Sequence, residues 1–427
     1  MGKINNGNSQ KVFFKNALTL MGGAALGKVI ALMSIPIITR IYDPETYGLY
    51  AIFVSATAMM GTISSLRYCY AIPLPNSKKL AMYIFVISIV IALLQSILFG
   101  GILYWQGEII FNLLNAPLLY NYWYLLVLSF LSVALFECLS MWAIREKSFR
   151  LLAMANVTQN FSGSLSKILI GMTSWYNIGL LIGQIINQIG GVQLLIKGVI
   201  SCFKIAKPFS LKKYKLLIFA YIDFPIYRMP AQVMLVLSMQ APLLLSSYFY
   251  GLNTAGQLSL AMTVVSLPVM LVAQSLGQVY YAEVSKIGKH NPLKIYRLSK
   301  NLILKSLMLV SAPCACLVMF GPILFSVVFG SQWEHAGEIA RILALTLVGQ
   351  FIANPIMNVL SVFDQQKLFF KINTVRALGV IVIFLLPHLI AIELYVVICL
   401  YSLFLTSHYF VTTYKIIKFV KLRAISQ

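Results

Sequence analysis

The chain has 427 residues, 60% of them apolar and only 10% charged. Soluble domains run near 45–50% apolar and about 25% charged, so a mean hydropathy of +0.86 excludes a water-soluble globule. The charge is lopsided, with 33 Lys and Arg against 11 Asp and Glu and a formal net charge of +22. In a soluble protein that excess would point to nucleic acid. In a membrane chain, what matters is where the cations sit.

Apolar windows of about 19 residues predict twelve membrane-spanning helices. Six fall near 17–38, 47–66, 80–104, 122–143, 151–170 and 176–200. Six more follow near 229–250, 255–279, 301–320, 340–361, 368–388 and 391–414. The first stretch is too long for a signal h-region and lacks a small-residue cleavage pattern, so it is expected to be a retained span.

With the N-terminus on the cytoplasmic side, 24 of the 33 cations fall on that side. They include Lys3, Lys11 and Lys15 in the N-terminal arm, and Arg67, Lys78 and Lys79 after the second span. The 201–216 connection adds Lys204, Lys207, Lys212, Lys213 and Lys215, and the 280–300 connection adds Lys286, Lys289, Lys294, Arg297 and Lys300. The opposite connections hold one cation, Arg40, a strong positive-inside bias. Both termini are therefore expected in the cytoplasm.

No connection reaches domain size, and no phosphate loop, HExxH helix or nucleophile elbow occurs. The six cysteines form no CxxC pair, and His290, His335, His388 and His408 are scattered. No catalytic residue, metal site or cofactor is expected.

Two stretches echo each other. Pro36 to Tyr42, a turn and Tyr47-Gly48 resemble Pro242 to Tyr248, a turn and Ala255-Gly256. Six spans separate the copies, so they share one orientation, as in parallel transporter repeats. The expected fold is an all-α integral membrane protein of about twelve helices in two pseudo-symmetric six-helix bundles around a central cavity. The bundles would comprise 1–200 and 217–427, joined by the basic cytoplasmic linker 201–216.

Eight cations remain in or at the edges of spans. Lys197, Lys305 and Lys371 can snorkel. Arg228 and Arg341 lie near span ends, while Lys28, Lys167 and Arg376 lie deeper. One clear intramembrane acid, Glu137, faces them. A charge at the bilayer centre costs roughly 2.5–3.5 kcal/mol on insertion scales, so these cations are expected to face a wet cavity or an anionic ligand. Asn156, Asn160, Ser164 and Lys167 share one helix face, the sixth span presents Gln184 and Gln188, and the tenth presents Gln350, Asn354 and Asn358. Such amides either glue helices together or line a polar path. Amides suit sugar hydroxyls, and buried Lys and Arg suit phosphate.

Several stretches carry a family resemblance: Tyr42-DPETYGLYA-Ile52, Arg67-YCYAIPL-Pro75, Asp223-FPIY-Arg228, PLLLSSYFYG at 242–251, AGQLSLAMTVVSLP at 255–268 and QSLGQVYYAEVSK at 274–286. FGSQWEHAG at 329–337, RILAL at 341–345 and NPIMNVL at 354–360 follow in the expected order. As a set they resemble the Wzx-like oligosaccharide-unit flippases of the polysaccharide transporter family, within the multidrug/oligosaccharidyl-lipid/polysaccharide exporter superfamily. One position departs: where the family carries Glu after Arg-Tyr, this chain has Cys69, which leaves Arg67 without that charge partner.

The resemblance implies a flippase in the bacterial inner membrane that carries undecaprenyl-diphosphate-linked oligosaccharide from the cytoplasmic to the periplasmic leaflet. The destination would be O-antigen or capsule-type polysaccharide, with polysaccharide polymerase or assembly proteins as partners. Lys28, Lys167, Arg376, Arg228 and Arg341 would hold the diphosphate. Asn156, Asn160, Gln184, Gln188 and Asn354 would contact sugars, and Glu137 is a candidate for ion coupling unless it pairs with a cation. Membrane lipids are expected neighbours, and nucleic acid is not. The competing reading is a drug exporter of the same superfamily, which would favour intramembrane carboxylates. A glycan polymerase or ligase would need a catalytic cluster on a large outer loop, and the 105–121 connection offers only Glu108.

Overall fold

A computed structural model describes residues 6–203, 211–288, 291–363 and 365–425. Lys3, Lys204, Lys207, Lys289, His290 and the 204–210 part of the basic linker lie outside the described residues. All regular structure among the described residues is helical, which follows from long apolar runs whose backbone groups have no water to bond within a bilayer.

The described chain forms two compact units, one of residues Met1–Asp43 and Ile52–Val236, the other of Pro44–Ala51 and Leu237–Gln427. The first contains α1 (Asn6–Ile41), most of α2 (Pro44–Gly61), the short helical segment Ser64–Ala71 and α3 (Lys78–Leu113). It continues through α4 (Trp123–Arg145), α5 (Phe149–Gly171), α6 (Tyr176–Ile189), α7 (Val192–Phe203) and α8 (Leu211–Ala220). α5 packs along both α1 and α6. Tyr68, Cys69, Met82, Tyr83, Cys138 and Trp142 lie in a buried core shared by the Ser64–Ala71 segment, α3 and α4. Arg145 closes the α4 end of this core by donating to the carbonyls of Ile72 and Pro75.

The second unit is built from most of α9 (Met229–Pro268), α10 (Gln274–Ile287), α11 (Pro292–Phe329), α12 (Glu334–Met357), α13 (Val359–Val362), α14 (Gln366–Leu389) and α15 (Leu394–Ile425). α12 packs against α11 and α15. α9 is interrupted at Gly251, where φ is +85° and ψ 173°, a backbone region open essentially to glycine alone. That break separates the seventh and eighth expected spans.

The two glycines of the sequence echo meet in this unit. A methyl on Gly48 would overlap the Leu252 carbonyl, and one on Gly256 would overlap the Pro44 carbonyl. The first turn of α2 and the arm after Gly251 therefore touch backbone to backbone. Tyr47 packs edge-on against the buried Trp333 ring beside them, with centroids 5.3 Å apart. Gln257 then ties the arm to the next turn, donating to Gln332 O and accepting from Ala336 N.

Among the described residues, eight helical runs are long and apolar enough to cross a membrane. The number rises to nine if α2 and Ser64–Ala71, bent by 56°, form one broken span. One of the eight, Phe224–Ile287, holds both the seventh and eighth expected spans. α1 and α5 are not in that set. α5 carries Asn156, Gln159, Asn160 and Lys167 along its length, the polar residues that single it out as a pathway candidate.

Candidate functional site

In the first unit, Lys167 is 9% exposed and its ammonium donates to Gln184 Oε1 across the α5–α6 contact at 2.9 Å. The Lys167 carbonyl accepts the Tyr42 hydroxyl at 2.8 Å. Tyr42 stacks on Tyr176, whose hydroxyl donates to Asp43 Oδ2 at 2.8 Å. A polar chain thus joins the end of α1 to α5 and α6. Lys28, half-buried on α1, has no ion-pair or hydrogen-bond partner among the described residues. Its neighbour Gly27 lies against Asn156 and Asn160, so the structure brings the helix turn of Lys28 beside two of the expected sugar-contacting amides.

Those amides are partly engaged. Asn160 Nδ2 donates to Asn156 O at 2.8 Å. Gln188, 7% exposed, accepts from Ser129 Oγ at 2.7 Å, and Ser129 shares a further hydrogen bond with Thr57. Gln184 and Gln188 therefore join helices, the role that polar side chains commonly take inside membranes. Asn354 lies in the other unit, half-buried on α12.

At Arg67 the structure corrects the expectation. Its position beside a connection placed it among the cytoplasmic loop cations without a carboxylate, yet it is 4% exposed and its Nη1 lies 2.6 Å from Glu137 Oε1. Its Nε donates to Thr62 O at 2.7 Å. Glu137 also accepts from Ser64 Oγ at 2.8 Å and from the Tyr70 hydroxyl at 3.1 Å. The carboxylate comes from α4, in a different helix from Cys69.

The backbone is strained to make this site. Ser65, Leu66 and Arg67 have φ of 49°, 47° and 63°, a left-handed run that costs non-glycine residues roughly 1–2 kcal/mol each. Such backbone persists where its surroundings over-determine it. Here Ser64, Ser65, Tyr68, Cys69 and Ala71 are all buried with Arg67. Arg228, exposed at the end of the Phe224–Arg228 turn, stacks over the Tyr70 ring with its Cζ 4.2 Å from the centroid. The Arg67 Cζ is 5.4 Å from the same centroid. Glu137, Arg67, Tyr70 and Arg228 thus form one cluster.

In the second unit, Arg376 on α14 is half-buried and donates from Nη2 to Ser238 Oγ at 3.2 Å. It lines a cavity of about 200 Å³. Arg341 is exposed on α12. Of the five expected cavity cations, Lys28 and Lys167 lie on packed helices of the first unit, Arg228 stands beside Tyr70 in the same unit, and Arg341 and Arg376 belong to the second unit. Among the described residues no group of His, Cys, Asp and Glu could hold a metal ion.

Reasoning from sequence missed Arg67, because nearness to a loop was read as membership of it. It also missed Ser238, Thr346, Tyr401 and Tyr409 of the Arg376 cavity. Single hydroxyls in apolar helices look alike whether they bond their own backbone or face a cavity.

The fold is that of a multi-pass membrane transporter. An inward-facing multidrug resistance transporter of the MATE family, in the MOP superfamily, matches with a TM-score of 0.74 at 13% identity, over 92% of this chain and 94% of that one. The lipid II flippase MurJ in an inward closed conformation matches with a TM-score of 0.71 at 14% identity, over 96% of this chain and 87% of that one. A MOP superfamily transporter from Pyrococcus furiosus, described as having a binding pocket of reversed polarity, matches at 0.58 and 13% identity, with 96% of each chain covered. No curated protein sequence matches significantly. Residues 37–338 match the family model described as polysaccharide biosynthesis protein, and the chain belongs to that family.

Proposed function

We propose that the chain is a flippase for lipid-linked oligosaccharide, moving undecaprenyl-diphosphate-linked repeat units from the cytoplasmic to the periplasmic leaflet of a bacterial inner membrane by alternating access. The glycan would serve O-antigen or capsule-type polysaccharide. The observation that carries this reading is the match of residues 37–338 to a polysaccharide biosynthesis family in a chain with a membrane transporter fold. The charge pattern supports it. The intramembrane charges are nearly all cations, and the one clear acid, Glu137, is paired with Arg67. A carrier of cationic drugs would want carboxylates, whereas a diphosphate wants guanidinium and ammonium groups.

In this reading Lys28, Lys167, Arg376, Arg228 and Arg341 are the cations that hold the diphosphate. Asn156, Asn160, Gln184, Gln188 and Asn354 offer amides to sugars. Glu137 has three donors on its carboxylate and acts in holding Arg67. The N- and C-termini are cytoplasmic, and polysaccharide polymerase or assembly proteins take up the product.

The test is reconstitution of the full chain in liposomes with a fluorescent undecaprenyl-diphosphate oligosaccharide in one leaflet. Protein-dependent transfer to the other leaflet is expected, and it should fall at least tenfold in a Lys28→Ala, Arg228→Ala double variant. Gradient-driven efflux of an organic cation without glycan-lipid transfer would establish the drug-exporter reading instead.

A further inference from the structure

The seam between α11 and α12 starts at a close crossing. A methyl on Gly321 would overlap the Gly337 carbonyl, and one on Gly337 would overlap Pro322 Cα, so the two helices touch backbone to backbone. From there α11 runs back toward the basic 280–300 connection, and the Cys314 thiol donates to Ala344 O at 3.4 Å. Along this stretch the seam opens into a groove lined by Leu307, Val310, Cys314, Val318 and Met319 of α11 and by Val348 of α12. No charged side chain lines it. Leu307, Val318 and Met319 are exposed on a membrane-spanning helix, so the groove faces lipid chains. Leu307 and Met319 are twelve residues apart on α11, about 18 Å at 1.5 Å per residue. That is close to the depth of one leaflet, about half of a 30 Å hydrocarbon core.

Arg341 stands at the end of the groove next to the crossing. It lies one helical turn beyond Gly337, and its Cβ is 3.5 Å from where a methyl on Gly321 would sit. It is exposed, and no hydrogen bond or ion pair holds it among the described residues. Glu338 lies within electrostatic reach but is engaged elsewhere: its carboxylate accepts the Tyr395 hydroxyl and meets His335 Nδ1 at 3.2 Å. Arg341 is seven residues into α12, about 10 Å from the helix start. A guanidinium at that depth is costly when it faces lipid alone, and a phosphate group is the partner whose geometry it fits.

An open guanidinium at the head of an apolar groove of leaflet depth matches an amphiphile with an anionic head and a long chain. Lipid is as apolar as the groove, so the groove contributes shape and alignment rather than a hydrophobic drive. Discrimination among lipids then falls to Arg341. A diphosphate offers it more charge and more acceptor oxygens than the single phosphodiester of a bilayer lipid.

We propose that the α11–α12 groove holds the isoprenoid tail of a prenyl diphosphate, with the diphosphate at Arg341. The tail is thereby aligned against the outside of the second unit, in the leaflet remote from the basic connections. The choice of occupant rests on the flippase reading above.

The test is photolabelling of the full chain in detergent with farnesyl diphosphate that carries a diazirine on its last isoprene unit, followed by peptide mapping. Saturable labelling of α11 between Leu307 and Ala315 is expected. Undecaprenyl diphosphate should compete at least tenfold better than phosphatidylglycerol, and sodium pyrophosphate should not compete. Ala315→Trp, which fills the groove, should lower the labelling at least tenfold, Arg341→Gln should lower it at least fivefold, and Arg341→Lys should restore part of that loss. The proposal is overturned if labelling of α11 does not saturate, if phosphatidylglycerol competes as well as undecaprenyl diphosphate, or if Ala315→Trp and Arg341→Gln both label as the wild type does. Labelling needs no transport. A chain that labels saturably yet fails the leaflet-transfer assay keeps the groove and loses the flippase reading, whereas transfer without labelling of α11 does the reverse.

Discussion

Arg67 and Arg376 are both guanidinium groups in membrane-spanning units, and the chain treats them in opposite ways. Arg67 is neutralised internally: Glu137 reaches it from α4 at 2.6 Å, and Ser64 and Tyr70 complete the carboxylate. Arg376 has a neutral hydroxyl from Ser238 and faces a cavity lined without a carboxylate. A charge that serves architecture is cancelled where it stands. A charge kept for a ligand is left open, and its desolvation is offset when the ligand arrives. The difference lies in the neighbours, since the residue type is the same.

The largest expected effect comes from removing the carboxylate. Glu137→Ala leaves Arg67 buried without its partner, and breaking a buried pair costs about 3–5 kcal/mol. Because the Glu137 side chain is 24% exposed, a loss of about 3 kcal/mol, at the low end of that range, is expected in denaturant unfolding in detergent. The double variant Arg67→Met, Glu137→Met should recover most of it, because both buried charges then go together. If the double variant loses as much as the sum of the singles, Arg67 and Glu137 are not a coupled pair.

Arg376→Met should act with the opposite sign. Without ligand it removes an uncompensated charge, and a gain on the order of 1–2 kcal/mol is expected from the cost of such groups in membranes. A large loss of stability on this substitution would mean that Arg376 is architectural, like Arg67, and would erase the contrast.

Tyr70→Phe sharpens the picture of the first cluster. It deletes one hydrogen bond to Glu137 and keeps the ring beneath Arg228, so about 1 kcal/mol should be lost. The smallest effect is expected at Arg228. Its stacking on Tyr70 is exposed, and Arg228→Gln should cost about 0.5–1 kcal/mol of stability by the same unfolding measurement. A stability loss at Arg228 equal to that at Glu137 would make Arg228 a structural member of the cluster rather than an open cation.

Much of this was readable along the chain. The hairpin of Tyr42 and Gly48 and its echo at Gly256 stand in the sequence, since turns and close approaches demand glycine. That Gly48 and Gly256 press on each other's helices was not readable, because a repeat states likeness and says nothing of contact. Helix lengths were read short: α3 extends to Leu113, beyond the apolar window that ends near 104. Trp105, 84% exposed, and the polar turn with Glu108 continue the helix past the stretch that a hydropathy window detects.

The site divided in the same manner. Lys167 and Gln184 were each legible as polar positions on neighbouring spans, and helical periodicity set them on interior faces. Arg67 was misread because the break after α2 folds a stretch that looks like a loop back into the core, through a left-handed run that no local propensity predicts. The Arg376 cavity draws on α9, α12, α14 and α15, and only three-dimensional packing gathers residues so far apart.

The most direct measurement of the contrast is thermal unfolding of wild type, Glu137→Gln and Arg376→Met side by side while undecaprenyl diphosphate is titrated into the detergent solution. Wild type and Glu137→Gln should gain stability along the same saturable curve, offset from each other, as binding to the native state requires. Arg376→Met should need at least tenfold more lipid for the same gain. An unshifted curve in Arg376→Met, or a gain that vanishes in Glu137→Gln, would contradict the division of the two arginines into one cancelled by the protein and one kept for the diphosphate.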